Sequence, residues 1–163
     1  MPRVFSRPAA VGWAALCLAL AACSETAAMA KYVMFSPVSG VVLLNGAPVV
    51  GAKVERSYLW RWAKQRADDS VVTDAQGRFT MPEVTGSSMS AWLPHEPFVE
   101  QGIAVYVEGK RYAVWGHNRR NYESNSELSG KPLRLRIELS MEPKTYSNEP
   151  KSTEPVVGRF TLE

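Results

Sequence analysis

Residues 39–62 read SGVVLLNGAPVVGAKVERSYLWRW, and this stretch decides the fold class. Gly40 to Leu44 is a short run rich in β-formers. Asn45-Gly46 follows, a pair that tolerates positive φ and marks a tight hairpin. From Ala52 to Trp62 the chain alternates with period two. Ala52, Val54, Arg56, Tyr58, Trp60 and Trp62 fall on one face, and Lys53, Glu55, Ser57, Leu59, Arg61 and Ala63 on the other. Such alternation belongs to a strand with one apolar face and one mostly wet face.

The same grammar extends outward. Asp68-Asp69 interrupts the run, with a short helical turn expected at Gln65-Arg66-Ala67 and a short strand at Ser70 to Thr73. Asp74-Ala75-Gln76-Gly77 reads as a turn, with Arg78 to Met81 returning and Pro82 closing that strand. Met89 to Leu93 is expected to form another strand. Ile103 to Val107 and Arg111 to Trp115 flank the compact turn Glu108-Gly109-Lys110. Leu133, Leu135, Ile137 and Leu139 alternate with Arg134, Arg136 and Glu138. Residues 141–155 hold three prolines and read as an extended loop, and Val156 to Leu162 as a final edge strand. Close-spaced short strands predict an all-β domain, a single antiparallel β-sandwich.

Composition narrows the function classes. The chain has 163 residues, 45% hydrophobic and 21% charged, with two His and two Cys. This is one folded domain's worth of sequence. It argues against a large enzyme, a multi-pass membrane protein and a disulfide scaffold.

The N-terminus carries a targeting pattern. Arg3 and Arg7 precede an uncharged run from Ala9 to Ala22, too short to span a bilayer comfortably and suited to a secretory signal. The run ends in Leu20-Ala21-Ala22-Cys23, which resembles a bacterial lipobox. The small residues admit the peptidase, and the Cys23 thiol would carry diacylglycerol as a thioether. Residues 1–22 are thus expected to be a lipoprotein signal peptide, 23–31 the lipidated Cys and a short tether, and 32–163 the β-sandwich. By resemblance to Gram-negative lipoproteins, Ser24 implies an outer-membrane lipoprotein facing the periplasm. The alternative is cleavage after Ala28-Met29-Ala30, giving a soluble periplasmic chain. Loss of residues 1–22 removes Arg3 and Arg7 and leaves basic and acidic groups nearly balanced, so a nucleic-acid role loses its compositional support. Cys17 leaves with the signal.

Residues 39–54 (SGVVLLNGAPVVGAKV) and 71–82 (VVTDAQGRFTMP) resemble the carboxypeptidase-regulatory-like or transthyretin-like β-sandwich pattern, with Gly51 and Gly77 at turns and Phe79 pointing inward. FSPVSG (35–40), ERSYLWRW (55–62), PHEPFVEQ (94–101) and NYESNSELSGKPL (121–133) are similar to a family of short uncharacterised bacterial proteins. Some of its members lie near type VI secretion genes, which suits immunity proteins. Neither resemblance carries over a catalytic residue.

No catalytic or metal-binding motif emerges. His95-Glu96 is not followed by a second His at metalloprotease spacing, and His117 lacks neighbouring ligands; a zinc site needs three or four that converge. Ser39 and Ser87 lie outside any GxSxG, and no phosphate- or dinucleotide-binding glycine loop is present. The reading is a non-enzymatic chain without cofactor or metal. Trp, Tyr and Arg are the types most enriched in binding hot spots, which singles out Arg61, Trp62, Lys64, Arg66, Trp115, Arg119 and Arg120 as candidate partner contacts. Tyr58 and Trp60 are assigned to the core with Val54. The function expected is protein-partner binding, most specifically neutralisation of a periplasm-acting type VI secretion toxin. The alternatives are a structural or assembly lipoprotein of the envelope or a secretion apparatus, and a carbohydrate- or peptidoglycan-binding module.

The lipobox reading makes a direct prediction. Cys23→Ser should abolish labelling of the protein by radioactive palmitate and shift it from the membrane to the soluble fraction. Undiminished labelling would exclude Cys23 as the acceptor.

Overall fold

The computed structural model describes residues 31–90, 93–146 and 156–162. The expected signal peptide, Cys23 and the tether up to Ala30 lie outside them. The described chain is all-β, with a single 3-10 turn at Ser126–Leu128. Among the described residues thirteen strands form three sheets. The largest is built from β4 (Lys53–Trp60), β5 (Gln65–Val72), β8 (Val99–Val107), β9 (Lys110–Arg119), β11 (Lys144–Tyr146) and β12 (Val156–Gly158), in the order β11-β12-β9-β8-β4-β5. The second contains β2 (Val38–Leu44), β3 (Ala47–Pro48), β6 (Arg78–Met81), β10 (Leu133–Glu138) and β13 (Phe160–Leu162). Here β13, β10 and β2 lie side by side, and β3 and β6 share the free edge of β2 end to end. A two-stranded ribbon pairs β1 (Tyr32–Phe35) with β7 (Val84–Gly86).

The two larger sheets meet across one apolar core. Val38, Val42, Phe79, Leu133, Leu135, Ile137 and Phe160 come from one sheet, and Val54, Ile103, Val105, Val114 and Trp115 from the other. Each such side chain contributes about 1.5–3 kcal/mol on full burial. A smaller cluster of Met34, Tyr58, Trp60 and Val99 lies beside it, with Val84 of the ribbon packed on both.

The alternation in β4 is realised as expected. Val54, Arg56, Tyr58 and Trp60 are buried, and Lys53 and Ser57 are exposed. The strand ends at Trp60, and Trp62 lies in the following turn. Asn45 and Gly46 adopt φ of 53° and 78°, and both backbone N–H groups donate to the Glu138 carboxylate at 2.9 Å. Gly77 sits at φ 72°, where a Cβ would also lie 2.7 Å from the Val42 carbonyl oxygen.

Several expectations are corrected. Asp68-Asp69 does not break a strand, and Gln65-Arg66-Ala67 does not turn helically, because β5 runs unbroken from Gln65 to Val72. Asp69 stands opposite Arg56 and accepts from its Nε at 2.9 Å and its Nη2 at 2.5 Å. Asp69 thus supplies the counter-ion that lets an arginine occupy the apolar face of β4. No strand forms in the described part of Met89 to Leu93, where Leu93 N–H instead closes a turn onto the Ser90 carbonyl. The neighbouring strand is β7. Within the expected 141–155 loop, Lys144–Tyr146 pairs with β12, while residues 147–155 lie outside the described set. Val156 to Leu162 is two strands, not one. β12 is interior to the larger sheet, β13 edges the other, and the chain changes sheets at Arg159. The sandwich is also not purely antiparallel, since β2 and β10 run parallel, with Leu133 opposite Val38 and Glu138 opposite Leu43.

That parallel seam depends on close approach. A Cβ on Gly40 would lie 2.1 Å from the Leu135 carbonyl oxygen and 3.0 Å from the Phe79 ring. Gly40→Ala should therefore destabilise the fold by about 2–3 kcal/mol, an overpacking cost, measurable as a lowered denaturant midpoint. An unchanged midpoint would mean that the seam yields freely.

Candidate partner-binding surface

One end of the six-stranded sheet gathers aromatic and cationic side chains from three parts of the chain. The β4–β5 turn supplies Arg61, Trp62 and Lys64, the last at φ 51°. The turn is pinned by Arg61 N–H to the Phe98 carbonyl at 3.1 Å and Lys64 N–H to the Arg61 carbonyl at 3.3 Å. The Arg61 side chain reaches Glu100 of β8, with Nε to Oε1 at 2.6 Å. The segment before β8 brings His95, Glu96 and Phe98, and the segment after β9 brings Arg120 and Tyr122. Arg120 pairs with Glu96 at 2.7 Å and lies over the Phe98 ring at 4.9 Å.

Aromatic rings connect this rim to the interior. Trp62 stacks on His95 with centroids 4.4 Å apart and planes 13° from parallel. His95 contacts the Tyr122 ring, and Tyr122 contacts both Tyr32 and the buried Trp60 edge-on. Hydrogen bonds set the direction of the chain. The Leu93 carbonyl, 2.8 Å from His95 Nδ1, can only accept, so Nδ1 carries the proton in the neutral ring. Nε2 then accepts from the Tyr122 hydroxyl at 2.6 Å, and that hydroxyl accepts from Trp60 Nε1–H at 2.8 Å. Burial raises the Tyr122 hydroxyl above its ordinary pKa, with the Trp60 N–H opposing the shift, so the phenol stays a donor at neutral pH. Trp62, 38% exposed, donates through Nε1 to the Ser90 carbonyl at 3.3 Å. Its ring is presented on a fixed stack, at small entropic cost to a partner that covers it.

A buried polar cluster holds the segment carrying Tyr122. Glu127, in the 3-10 turn, and Arg119, at the end of β9, are each about 1% exposed. The Glu127 carboxylate accepts from Ser36 N–H at 3.0 Å, Ser36 Oγ at 2.6 Å, Gln101 Nε2 at 2.9 Å and Arg119 Nη1 at 3.1 Å. Arg119 also donates to the carbonyls of Asn121 and Glu123, which fixes the backbone on both sides of Tyr122. Burial pushes the Glu127 carboxyl upward, but Arg119, Ser36 and Gln101 outweigh it and hold the group below its ordinary value of 4.5.

The sequence-singled residues therefore divide. Arg61, Trp62, Lys64 and Arg120 stand together at this rim. Arg66 is exposed on β5, opposite Leu59 of β4. Trp115 and Arg119 are corrected, because both are interior and cannot touch a partner. A β-bulge between the Ile103–Trp115 and Ala104–Ala113 pairs inserts Val114 into β9. This shifts the inward phase, so that Val114, Trp115, His117 and Arg119 all face inside. Trp115 packs on Phe160 in the core, and Arg119 neutralises Glu127. The sequence reading missed His95 and Tyr122 as the support for Trp62. Both lie in the quoted words PHEPFVEQ and NYESNSELSGKPL, but their mutual contact is long-range. Among the described residues no group of three His, Cys, Asp or Glu side chains could hold a metal ion.

A family model for a domain of unknown function, DUF6795, matches residues 38–142, and the chain belongs to that family. The matched span runs from the start of β2 to just past β10 and includes Trp62, His95, Tyr122 and Glu127. No curated protein and no solved structure matches the chain.

Two stability measurements follow from this geometry. Glu127→Ala leaves a buried guanidinium without its counter-ion and should cost about 3–5 kcal/mol, whereas Trp62→Ala should cost about 1 kcal/mol or less by denaturant unfolding. In the native protein, the Glu127 contribution is complete above pH 4.5, the ordinary carboxyl value, and is lost as pH falls through the lowered folded-state value. The pH dependence of stability below 4.5 should therefore flatten in the Glu127→Ala protein. An equal acid slope in both would refute the assignment.

Proposed function

We propose that this member of the DUF6795 family is a periplasm-facing outer-membrane lipoprotein that binds a protein partner without catalysis. Its most specific form is an immunity protein that neutralises a type VI secretion toxin. The observation that carries the binding reading is the Trp62–His95 stack, half-exposed and rigidly supported, with Arg61, Lys64 and Arg120 around it. Tryptophan and arginine are among the residue types most enriched in interface hot spots, and a pre-ordered ring loses little freedom on binding. The lipobox at Leu20–Cys23 and the resemblance to proteins near type VI secretion genes supply the compartment and the kind of partner. A transthyretin-like sheet arrangement belongs to the same proposal. Mechanistically, the rim would cover the toxin's functional surface. Anchoring at Cys23 by several acyl chains, far stronger than one, would keep the inhibitor concentrated where the toxin arrives.

A glycan-binding reading rests on the same exposed Trp62, since a flat indole also stacks on sugar rings. It is the weaker of the two, because Trp115, the second stacking residue it needs, is interior.

The test is affinity purification of the tagged full-length chain from its native organism in mild detergent, with toxin secretion active. The expected result is one stoichiometric secreted toxin, inhibited by the purified chain, whose recovery drops at least tenfold with Trp62→Ala. A deletion strain should be killed by toxin-producing siblings. Recovery of envelope or secretion machinery with normal survival would replace immunity with the assembly reading. Trp62-dependent binding to peptidoglycan fragments would replace it with the glycan reading.

A further inference from the structure

The outer face of the five-stranded sheet carries a cationic groove that the Trp62 surface does not use. In β10, alternation sends Leu133, Leu135 and Ile137 into the core and leaves Arg134 and Arg136 exposed. The parallel register places Arg134 beside Ser39 and Arg136 beside Val41. The antiparallel register of β6 places Thr80 beside Ser39 and Arg78 beside Val41. Two rows result across the sheet, Arg134–Ser39–Thr80 and Arg136–Val41–Arg78. With strands about 4.8 Å apart, Arg78 and Arg136 stand about 10 Å from each other, and Arg134 lies about 7 Å along β10 from Arg136. Gly46, Pro48 and Gln76 from the adjoining turns also line the groove, whose volume is about 640 Å³.

Strand alternation asks only for wet side chains at these positions, and opposite charges are the favoured neighbours on a sheet face. The six-stranded sheet follows that rule, with Lys53 on Glu55 at 2.7 Å and Arg61 on Glu100. On the five-stranded sheet Glu138 shares the outer face of β10 with Arg134 and Arg136, but its carboxylate accepts from Asn45, Gly46 and Ser140 instead. Among the described residues no carboxylate lines the groove, and none of its three guanidiniums makes an ion pair. At these separations, near one Debye length, the mutual repulsion is only partly screened.

We propose that Arg78, Arg134 and Arg136 form a binding site for an extended, carboxylate-rich polypeptide segment of a partner. Guanidinium forks bind carboxylates bidentately, and the Ser39 and Thr80 hydroxyls stand beside them as further donors. The Arg134–Arg136 spacing along β10 equals that of alternate residues in an extended chain, so carboxylates at positions i and i+2 meet successive arginines. Gly46, Pro48 and Gln76 stand beside the arginines and make the site a groove rather than a bare sheet face, a shape suited to one extended chain. This site lies on a different sheet from Trp62 and stands independently of the toxin reading.

The experiment uses the purified full-length chain in non-ionic detergent and a fluorescein-labelled peptide of alternating Glu and Ser, read by anisotropy. The triple variant Arg78→Gln, Arg134→Gln, Arg136→Gln should weaken binding at least tenfold and flatten its salt dependence, while Trp62→Ala leaves it unchanged. The matched Gln-Ser peptide should not bind. The melting temperature of the triple variant should equal or exceed that of the parent, because repulsion is relieved; the three single variants, each weakening binding about threefold, give a second reading of the same site. Absent peptide binding, or equal binding by parent and triple variant, overturns the proposal. Arginine-dependent capture of soluble dihexanoyl phosphatidylglycerol in preference to the peptide also overturns it and reassigns the groove to lipid phosphate.

Discussion

The Glu127 carboxylate joins three parts of the chain that share no strand ladder with it: the corner after β1 through Ser36, the start of β8 through Gln101 and the end of β9 through Arg119. A buried ion pair of this kind adds little stability over a well-packed apolar substitute, but it is intolerant of losing one member. Its effect here is positional. With Arg119 fixed, the carbonyls of Asn121 and Glu123 are fixed, and Tyr122 is aimed between Trp60 and His95. His95 in turn supports the ring of Trp62. The exposed surface is thus the last link of a sequence of contacts that begins in a fully buried acid.

The strands that could be read from sequence are those in which apolar and polar residues alternate without interruption. β4, β6 and β10 are of that kind; β2 was marked instead by its run of β-formers, and the Asn45-Gly46 turn that follows it is where its φ preferences placed it. β9 was harder for a definite reason. Its bulge at Val114 changes which parity faces inward, so a pattern extrapolated along the strand puts Trp115 and Arg119 at the surface when both are interior. β5 failed differently. Its residues are nearly all exposed, and a strand held by one neighbour at a sheet edge needs no apolar face. Asp69, which looks like a breaker in isolation, is required by Arg56 on the adjacent strand, and that requirement appears only once the two strands are side by side.

The candidate surfaces were legible to unequal degrees. Trp62 could be singled out because an alternating strand must end near it, and its residue type suits interfaces. Its partner His95 could not, because a lone histidine carries no local pattern and the contact joins separate loops. The arginines of β10 were visible as the wet half of an amphipathic strand. Their convergence with Arg78 depends on a parallel pairing that no local rule predicts, because it joins strands from the two ends of the domain.

That parallel pairing also orders events in time. β4 with β5, and β8 with β9, are neighbours along the chain and can zip early as hairpins. β2 cannot complete its second edge until Leu133–Glu138 arrives, and contacts of such long sequence separation slow folding. Until then Val41 to Leu44 lies along an unpaired apolar edge, the kind of template that recruits other chains. The C-terminal strands are therefore a guard against aggregation as well as a structural closure. A chain cut short before β10 would be hazardous before it was inactive, because that edge of β2 stays open until the last quarter of the chain is in place.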